Sequence, residues 1–175
     1  NLEPGKLTAV LGKSGCGKTT LLKVISGLEE RDAGEISFFD EAGRPVSSPK
    51  LSLVFQDPRL FTLEDGGENL RFGLELKKLP KKEIDERVEN IIKLMGLQNF
   101  RDAIAPAVGE TEQRIIIGRA FAMNPDLLLM DEPYGQMDIK LRFYLEDEVV
   151  RLWKETGSTV LFITHNIEEL FNLAE

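Results

Sequence analysis

Near the start of the chain, glycines, a lysine and a threonine occur at the spacing that phosphate-binding loops use. The pattern G-x-x-x-x-G-K-[ST] is matched at every fixed position by Gly12, Lys13, Ser14, Gly15, Cys16, Gly17, Lys18 and Thr19. Glycines let backbone N–H groups wrap a phosphate, the lysine places a charge near the β- and γ-oxygens, and the threonine can hold Mg²⁺. An apolar run (7–11) precedes the loop and a helix-like segment (20–26) follows it. This context predicts that residues 12–20, Thr20 included, bind a nucleoside triphosphate.

Two adjacent acids form a second chemical signal. Asp131 and Glu132 follow the largely apolar run 126–130, which is typical of a strand buried on both faces. Ligands of open α/β sheets gather at the carboxyl ends of the strands. Phosphoryl transfer needs charge neutralisation and a positioned water, so we assign Asp131 to the metal and Glu132 to the water. The alternative is that the two acids merely cap the end of a strand.

Three further residues have both a functional and an ordinary interpretation. His165 follows an apolar run at 159–163, and a lone histidine there is often structural, but it lies at the predicted sheet edge that also carries Glu132. Gln56 ends the apolar run 51–55, where a glutamine is usually a solvated turn residue. Cys16 is interpreted as a small loop residue, because no neighbouring residue supplies a base that would make it a nucleophile.

The order of elements predicts an α/β protein with a mainly parallel sheet, an architecture to which RecA-like phosphate-loop NTPases belong. Strand-like runs at 36–39 and 51–55 are followed by a helical pattern after Pro80, in which apolar residues recur at helical spacing. These residues are Ile84, Val88, Ile91, Ile92 and Met95. We therefore predict one domain over 1–175, with an α/β core at 1–56 and 124–175 and an inserted α-helical subdomain at 57–123. A long helix follows this insertion, and a short one begins near Asn166.

Composition limits the classes of function. The chain has 175 residues, a net charge of −8 and one cysteine, and none of its apolar stretches approaches the length of a membrane span. The acidic balance argues against a nucleic-acid partner, and the single thiol fits a reducing cytosolic compartment. We expect the chain to be incomplete at both ends; at the N-terminal end the reason is that it begins at Asn1, inside a turn.

Four motifs in order resemble the ATP-binding cassette (ABC) ATPases that power membrane transporters. Residues 12–19 resemble the first nucleotide motif, and residues 129–138 resemble the second motif running into the D-loop, with Asp138 as its aspartate. Residues 54–60 resemble the Q-loop, and residues 162–169 resemble the switch segment. The resemblance implies that Gln56 reaches Mg²⁺ and the attacking water and that His165 contacts the γ-phosphate. The amino-acid sequence around Gln56 and at 152–157 is most similar to that of importer subunits of the nitrate, sulfonate and taurine kind.

The resemblance implies an ATP-hydrolysing subunit that uses ATP and Mg²⁺ and pairs with a second ABC ATPase subunit. It also implies a membrane permease docked near the Q-loop and the helical block, which would place the protein on the cytoplasmic face of the membrane. Two alternatives remain: a soluble ABC-type ATPase that acts on chromosomes or ribosomes, and a nucleotide-binding regulatory module with little turnover. The acidic balance and the short helical block argue against the first.

One segment departs from the family pattern. Where the family carries Leu-Ser-Gly-Gly-Gln before a Gln-Arg pair, this chain reads Ala-Val-Gly-Glu-Thr at 107–111, followed by Gln113 and Arg114. Val108 therefore replaces the serine and Glu110 the second glycine. In the family this loop caps the ATP of the opposing subunit, so the change removes a hydroxyl and adds a negative charge beside a triphosphate. The sequence predicts weak closure on a second copy.

Overall fold

The computed structural model describes residues 1–40, 42–56, 59–61, 64–103, 109–135, 137 and 139–173. In chain order, its elements are β1 (Leu7–Leu11), α1 (Lys18–Ser26), β2 (Phe38–Phe39), β3 (Pro45–Val46), β4 (Leu51–Val54), α2 (Gly66–Leu76), α3 (Lys81–Leu94), a short 3-10 turn (Gln98–Phe100), α4 (Glu110–Ala122), β5 (Leu127–Asp131), α5 (Ile139–Thr156), β6 (Thr159–Thr164) and α6 (Ile167–Leu173). In this part of the chain, no helix is long and apolar enough to cross a membrane.

Four parallel strands form the central sheet in the order β1-β6-β5-β4. Leu7 pairs with Val160, and Leu127 lies between Thr159 and Leu51. All residues of β5 and all but the first of β6 are buried, as expected for strands covered on both faces. The α/β prediction with a mainly parallel sheet is confirmed. Because the strands are parallel, the segments that follow all four strands begin at one edge.

The two faces of the sheet bury different side chains, because alternate residues of a strand point in opposite directions. Leu129 and Leu161 lie in one apolar cluster with Leu22 of α1. Leu128 and Phe162 lie in the other, larger cluster, which also contains apolar residues of the helices α2, α3, α4 and α5. The sheet is therefore a middle layer between α1 and the remaining helices.

Helix α4 joins the helical block to the sheet. It is buried on almost every side from Ile115 to Ala122, and its neighbours include α2, α3, α5 and β4. Gly118 allows the close approach of α3, since a Cβ at this position would lie 2.7 Å from Cγ2 of Ile91. The apolar spacing predicted for α3 is confirmed, with all five of its predicted residues buried. The division at 57–123 into a separate subdomain stays a prediction, because one apolar core spans both parts.

The segment around Gly43 differs from the prediction. Instead of a strand over 36–39, only Phe38–Phe39 is extended, and it pairs antiparallel with Pro45–Val46 in a small separate hairpin. Asp40 holds the turn, since its Oδ1 accepts hydrogen bonds from the backbone N–H groups of Ala42 and Arg44. The second strand was not predicted because it has only two residues and begins with a proline.

Candidate functional site

The ends of three strands meet at the phosphate-binding loop. The N–H of Gly12, directly after β1, donates to the carbonyl of Thr164 at the end of β6 (3.3 Å). The N–H of Glu132, directly after β5, donates to the carbonyl of Ile163 (2.9 Å). Residues 12–17, Glu132 and His165 therefore leave the sheet side by side, as their sequence positions predicted.

The geometry of this loop explains why glycine occupies three of its positions. Gly15 and Gly17 have φ angles of +78° and +97°, a region that side chains other than glycine seldom adopt. A Cβ on Gly12 would lie 2.8 Å from the Sγ of Cys16, so the turn could not stay as tight. Cys16 itself is exposed. The glycines at 12, 15 and 17 therefore allow the tight turn between β1 and α1.

Helix α1 starts directly at this loop. Gly17 caps it without a side-chain hydrogen bond, and its first turn contains no acid. The positive end of the helix dipole therefore faces the loop without a charge that would neutralise it. Thr19 and Thr20 lie exposed in this first turn. That they bind Mg²⁺ and the nucleotide stays a prediction.

Lys18 folds back over the loop. Its Nζ donates to the carbonyls of Gly12 (2.8 Å) and Lys13 (3.1 Å) and lies 3.5 Å from Oε1 of Glu132. Only 7% of the Lys18 side chain is exposed. The buried ammonium is thus held by neutral carbonyls and by one carboxylate, and it lies close to where a bound phosphate would have to be.

Glu132 is the point at which the predicted residues converge. Its Oε2 accepts a hydrogen bond from Nε2 of Gln56 (3.3 Å) and lies 2.9 Å from Nδ1 of His165, while Oε1 faces Lys18. Its φ of +45° is rare for a residue with a side chain, and such strain is common at functional positions. With an ionised Glu132, the contact with His165 requires a hydrogen on Nδ1.

Asp131 differs from its neighbour in exposure and contacts. It is the last residue of β5 and is 3% exposed, and its Oδ1 has no hydrogen-bond partner among the described residues. A buried carboxylate oxygen without a partner is costly unless a cation or water completes it. This oxygen fits Mg²⁺, which is commonly held by one or two carboxylates together with waters and phosphate oxygens. The described residues contain no cluster of three or more histidine, cysteine or acidic ligands.

The start of α4 contains a pair that the sequence did not predict. Glu110, in the first turn, forms an ion pair with Arg114 one turn later. The guanidinium carbon of Arg114 lies 4.2 Å from the centre of the Tyr144 ring on α5. The carboxylate of Glu110 is therefore held along its own helix. Val108, Gln136 and Asp138 lie outside the described residues.

A second group of side chains was missed, because its members are far apart in sequence. Arg142 on α5 lies 3.0 Å from a carboxylate oxygen of Glu168 and 3.9 Å from one of Glu169, both on α6. It also lies 3.8 Å from Glu146, one helical turn away, and this spacing was the available signal. Burial raises the pKa of Glu146 to about 7, although a hydrogen bond from Asn172 acts in the opposite direction.

Comparisons with known proteins agree with this geometry. Residues 1–135 match the family model described as ABC transporter. The chain is 39% identical over 178 residues to the taurine import ATP-binding protein TauB of Roseobacter denitrificans, covering the whole chain and 65% of that protein. It is also 39% identical over 178 residues to the spermidine/putrescine import ATP-binding protein PotA of Clostridioides difficile, covering the whole chain and 51% of that protein.

A solved structure has the same fold. CbiO1 of Clostridium perfringens, described as part of the ABC transporter complex CbiONQ, superposes with a TM-score of 0.84 at 30% identity, covering 97% of this chain and 71% of that one. The chain spans about half to two thirds of the length of the two import proteins it matches. The chain therefore belongs to the ABC transporter family, as its four motifs predicted.

Proposed function

We propose that this chain is the ATP-binding and ATP-hydrolysing part of an importer-type ABC transporter. The observation that carries the proposal is the convergence on Glu132, whose carboxylate lies between Lys18, Gln56 and His165 at the mouth of the phosphate loop. A carboxylate held in this way beside a phosphate site can position and deprotonate an attacking water.

The residues of the loop would bind the triphosphate. Backbone N–H groups of residues 12–20 and the start of α1 face the anion, and Lys18 turns from the carbonyls of Gly12 and Lys13 toward the β- and γ-oxygens. Thr19, Asp131 and Gln56 would hold Mg²⁺, which supplies charge neutralisation to the phosphate oxygens. Loss of the Lys18 contact then leaves Glu132 free to accept a hydrogen bond from water.

Hydrolysis divides the remaining work between two residues. Glu132 accepts a proton from the water while the water oxygen forms a bond to the γ-phosphorus. The bond between the γ-phosphorus and the oxygen that bridges it to the β-phosphate breaks at the same time, and ADP leaves with that oxygen. Nδ1 of His165 lies 2.9 Å from the same carboxylate, and with a hydrogen on both ring nitrogens its exposed ring would also donate from Nε2 toward the γ-phosphate. The chemistry requires mainly positioning and charge, which these two side chains provide.

The partners are part of the same proposal. A second ABC ATPase subunit would close over the nucleotide, and a membrane permease would dock near the Q-loop and the helical block 57–123, at the cytoplasmic face of the membrane. Support comes from the relatives, since TauB and PotA are named as import ATP-binding proteins and CbiO1 as part of a transporter complex. Purification of the intact protein from detergent-solubilised membranes should recover a permease subunit, and recovery of the protein only from the soluble fraction would contradict this.

The segment 107–111 favours a second candidate, a nucleotide-binding regulatory module with low turnover. Phosphate release by the intact protein, measured with Mg·ATP and again after chelation of the metal, separates the candidates. Steady metal-dependent release supports the ATPase, whereas tight binding of Mg·ATP with almost no release supports the regulatory module. Absence of ATP binding at millimolar concentration would contradict both.

A further inference from the structure

A polar cluster joins α5 to α6 beside the sheet edge that carries His165. We call it the α5–α6 cluster and define it by Arg142, Glu146, Glu168, Glu169 and Asn172. Arg142 lies 3.0, 3.8 and 3.9 Å from the carboxylates of Glu168, Glu146 and Glu169, and Asn172 donates to Glu146 (2.6 Å). The guanidinium is hydrogen-bonded to Glu168 and lies near the carboxylates of the other two acids.

Burial makes Arg142 important to this arrangement. Its side chain is 13% exposed, and those of Glu146 and Glu169 are 1% and 8% exposed. Buried ion pairs contribute little net stability compared with apolar packing, but the loss of one partner leaves an uncompensated charge inside the protein. Arg142 therefore holds the first turn of α6 to α5, while the hydrogen bond from Asn172 to Glu146 holds its last turn.

The cluster lies close to the switch histidine along the chain. Glu168 and Glu169 form the first turn of α6, three and four residues after His165. The connection between them is short and held by hydrogen bonds, since Asn166 N–H donates to Thr164 Oγ1 (2.9 Å) and Glu168 N–H donates to Asn166 Oδ1 (2.9 Å). A displacement of the first turn of α6 would be transmitted directly to His165.

His165 needs such support, because its own side chain is 59% exposed. Packing holds it weakly, and its 2.9 Å contact with Glu132 depends on where its backbone lies. We propose that Arg142 is a positioning residue that acts through the first turn of α6 to hold His165 against Glu132. The inference rests on the proposed ATPase function, but its first test needs no hydrolysis.

The first test observes His165 directly. It is the single histidine of this chain, and its imidazole Cε1–H signal in a proton–carbon spectrum, identified by its loss in His165→Gln, reports on the site. Arg142→Lys keeps the charge but loses the planar guanidinium with its several N–H donors. Glu168→Gln removes the negative charge from the shortest contact of Arg142, at an exposed position. We expect both to shift or broaden the signal, as Glu132→Gln should.

Arg151→Lys is the matched control. Arg151 lies on the same helix and pairs with Glu148, also on α5, so the change has the same chemistry without a link to α6. It should leave the His165 signal unchanged. An unchanged signal in Arg142→Lys and Glu168→Gln, together with a shift in Glu132→Gln, would overturn the proposal. If Arg142→Lys does not fold, Glu168→Gln decides the outcome alone.

The second test is a double-mutant cycle on ATP hydrolysis. Arg142→Lys should lower kcat about tenfold while KM for ATP changes less than about twofold, because the phosphate loop is untouched. In a His165→Ala background, Arg142→Lys should lower kcat by less than about twofold, because the histidine that Arg142 positions is absent. Equal losses in both backgrounds would show that Arg142 does not act through His165. A wild-type protein that binds no ATP would instead contradict the proposed function.

Discussion

Two regions of this molecule that would face a nucleotide are built differently. At the phosphate loop, Lys18, Gln56 and His165 converge on Glu132 from three different segments. Two members of the α5–α6 cluster, Glu168 and Glu169, follow His165 closely along the chain. At the start of α4, one ion pair joins Glu110 to a residue of its own helix, and 47% of the Glu110 side chain is exposed. The sheet topology places the residues of the first region together, whereas single side chains determine the charge of the second.

This difference explains why the phosphate loop keeps the family pattern, whereas the start of α4 can lose it without destabilising the fold. Parallel strands bring their ends to one edge whatever residues follow them, so the loop and Glu132 meet as soon as the sheet forms. At the start of α4, an acid in the first turn is favourable for the helix dipole and is neutralised by Arg114. The same acid is unfavourable for a phosphate. Local stability and anion binding oppose each other there.

The largest effect is expected from Glu132→Gln. Glutamine keeps the shape and the contact with Gln56 but cannot accept a proton, so hydrolysis should slow at least about 100-fold while ATP affinity changes little. Phosphate release and calorimetric ATP binding measure the two quantities. Glu155→Gln, which removes an exposed acid at the end of α5, is the control. Hydrolysis at the wild-type rate in Glu132→Gln would move the role of base to His165 or Gln56.

Lys18→Ala tests binding at the same region. Loss of the charge contact to the β- and γ-phosphates should cost on the order of 2 to 3 kcal/mol, which is about 30- to 150-fold in affinity. Lys23→Ala, in the last turn of the same helix, should leave affinity within about twofold. Calorimetry with Mg·ATP measures both variants, and equal affinities would show that the loop does not bind the triphosphate through its lysine.

A smaller effect is expected at the α5–α6 cluster when pH changes. Glu146 is 1% exposed, and burial raises its pKa from 4.5 to about 7, with Glu169 acting in the same direction and Arg142 against it. The folded state therefore binds more protons than the unfolded state between these values, and the free energy of unfolding should fall as pH rises from about 5 to 8.

Glu146→Gln removes this dependence while it keeps a partner for Asn172. The fall in the free energy of unfolding from pH 5 to pH 8 should be smaller in the variant by on the order of 2 kcal/mol. Urea unfolding at both pH values measures it, and Glu155→Gln should behave as the wild type does. The same fall in Glu146→Gln and wild type would show that Glu146 is not the group responsible.

Features that lie within one short segment of the chain could be predicted from the sequence. The phosphate loop, the acids after β5 and the apolar stripe of α3 could be predicted because each lies within a short segment whose periodicity or spacing has one physical reason. The sequence was less informative where partners are distant. Arg142 meets Glu168 26 residues away, and Arg114 meets the Tyr144 ring, through packing that no local pattern encodes. The second strand of the hairpin, Pro45–Val46, was missed because it has only two residues.

The residues at the start of α4 are expected to limit dimerisation and ATP hydrolysis. If two copies pair as the family does, each ATP meets Val108 and Glu110 in place of a serine and a glycine, so wild-type closure should be weak and hydrolysis slow. Val108→Ser with Glu110→Gly should restore ATP-dependent dimerisation and raise hydrolysis about tenfold or more, equivalent to at least about 1.4 kcal/mol of transition-state stabilisation.

Glu110→Gln alone separates charge from hydroxyl in that experiment. It keeps a side chain beside Arg114 but removes the negative charge, so it should recover only part of the gain. Light scattering with and without ATP, alongside steady-state phosphate release, compares the three proteins. Brisk hydrolysis by a wild-type homodimer, with no gain in either variant, would mean that another segment supplies the contact across the dimer. Weak wild-type closure that the double change repairs would instead place the limit on turnover at the start of α4, because the phosphate loop is identical in all three proteins.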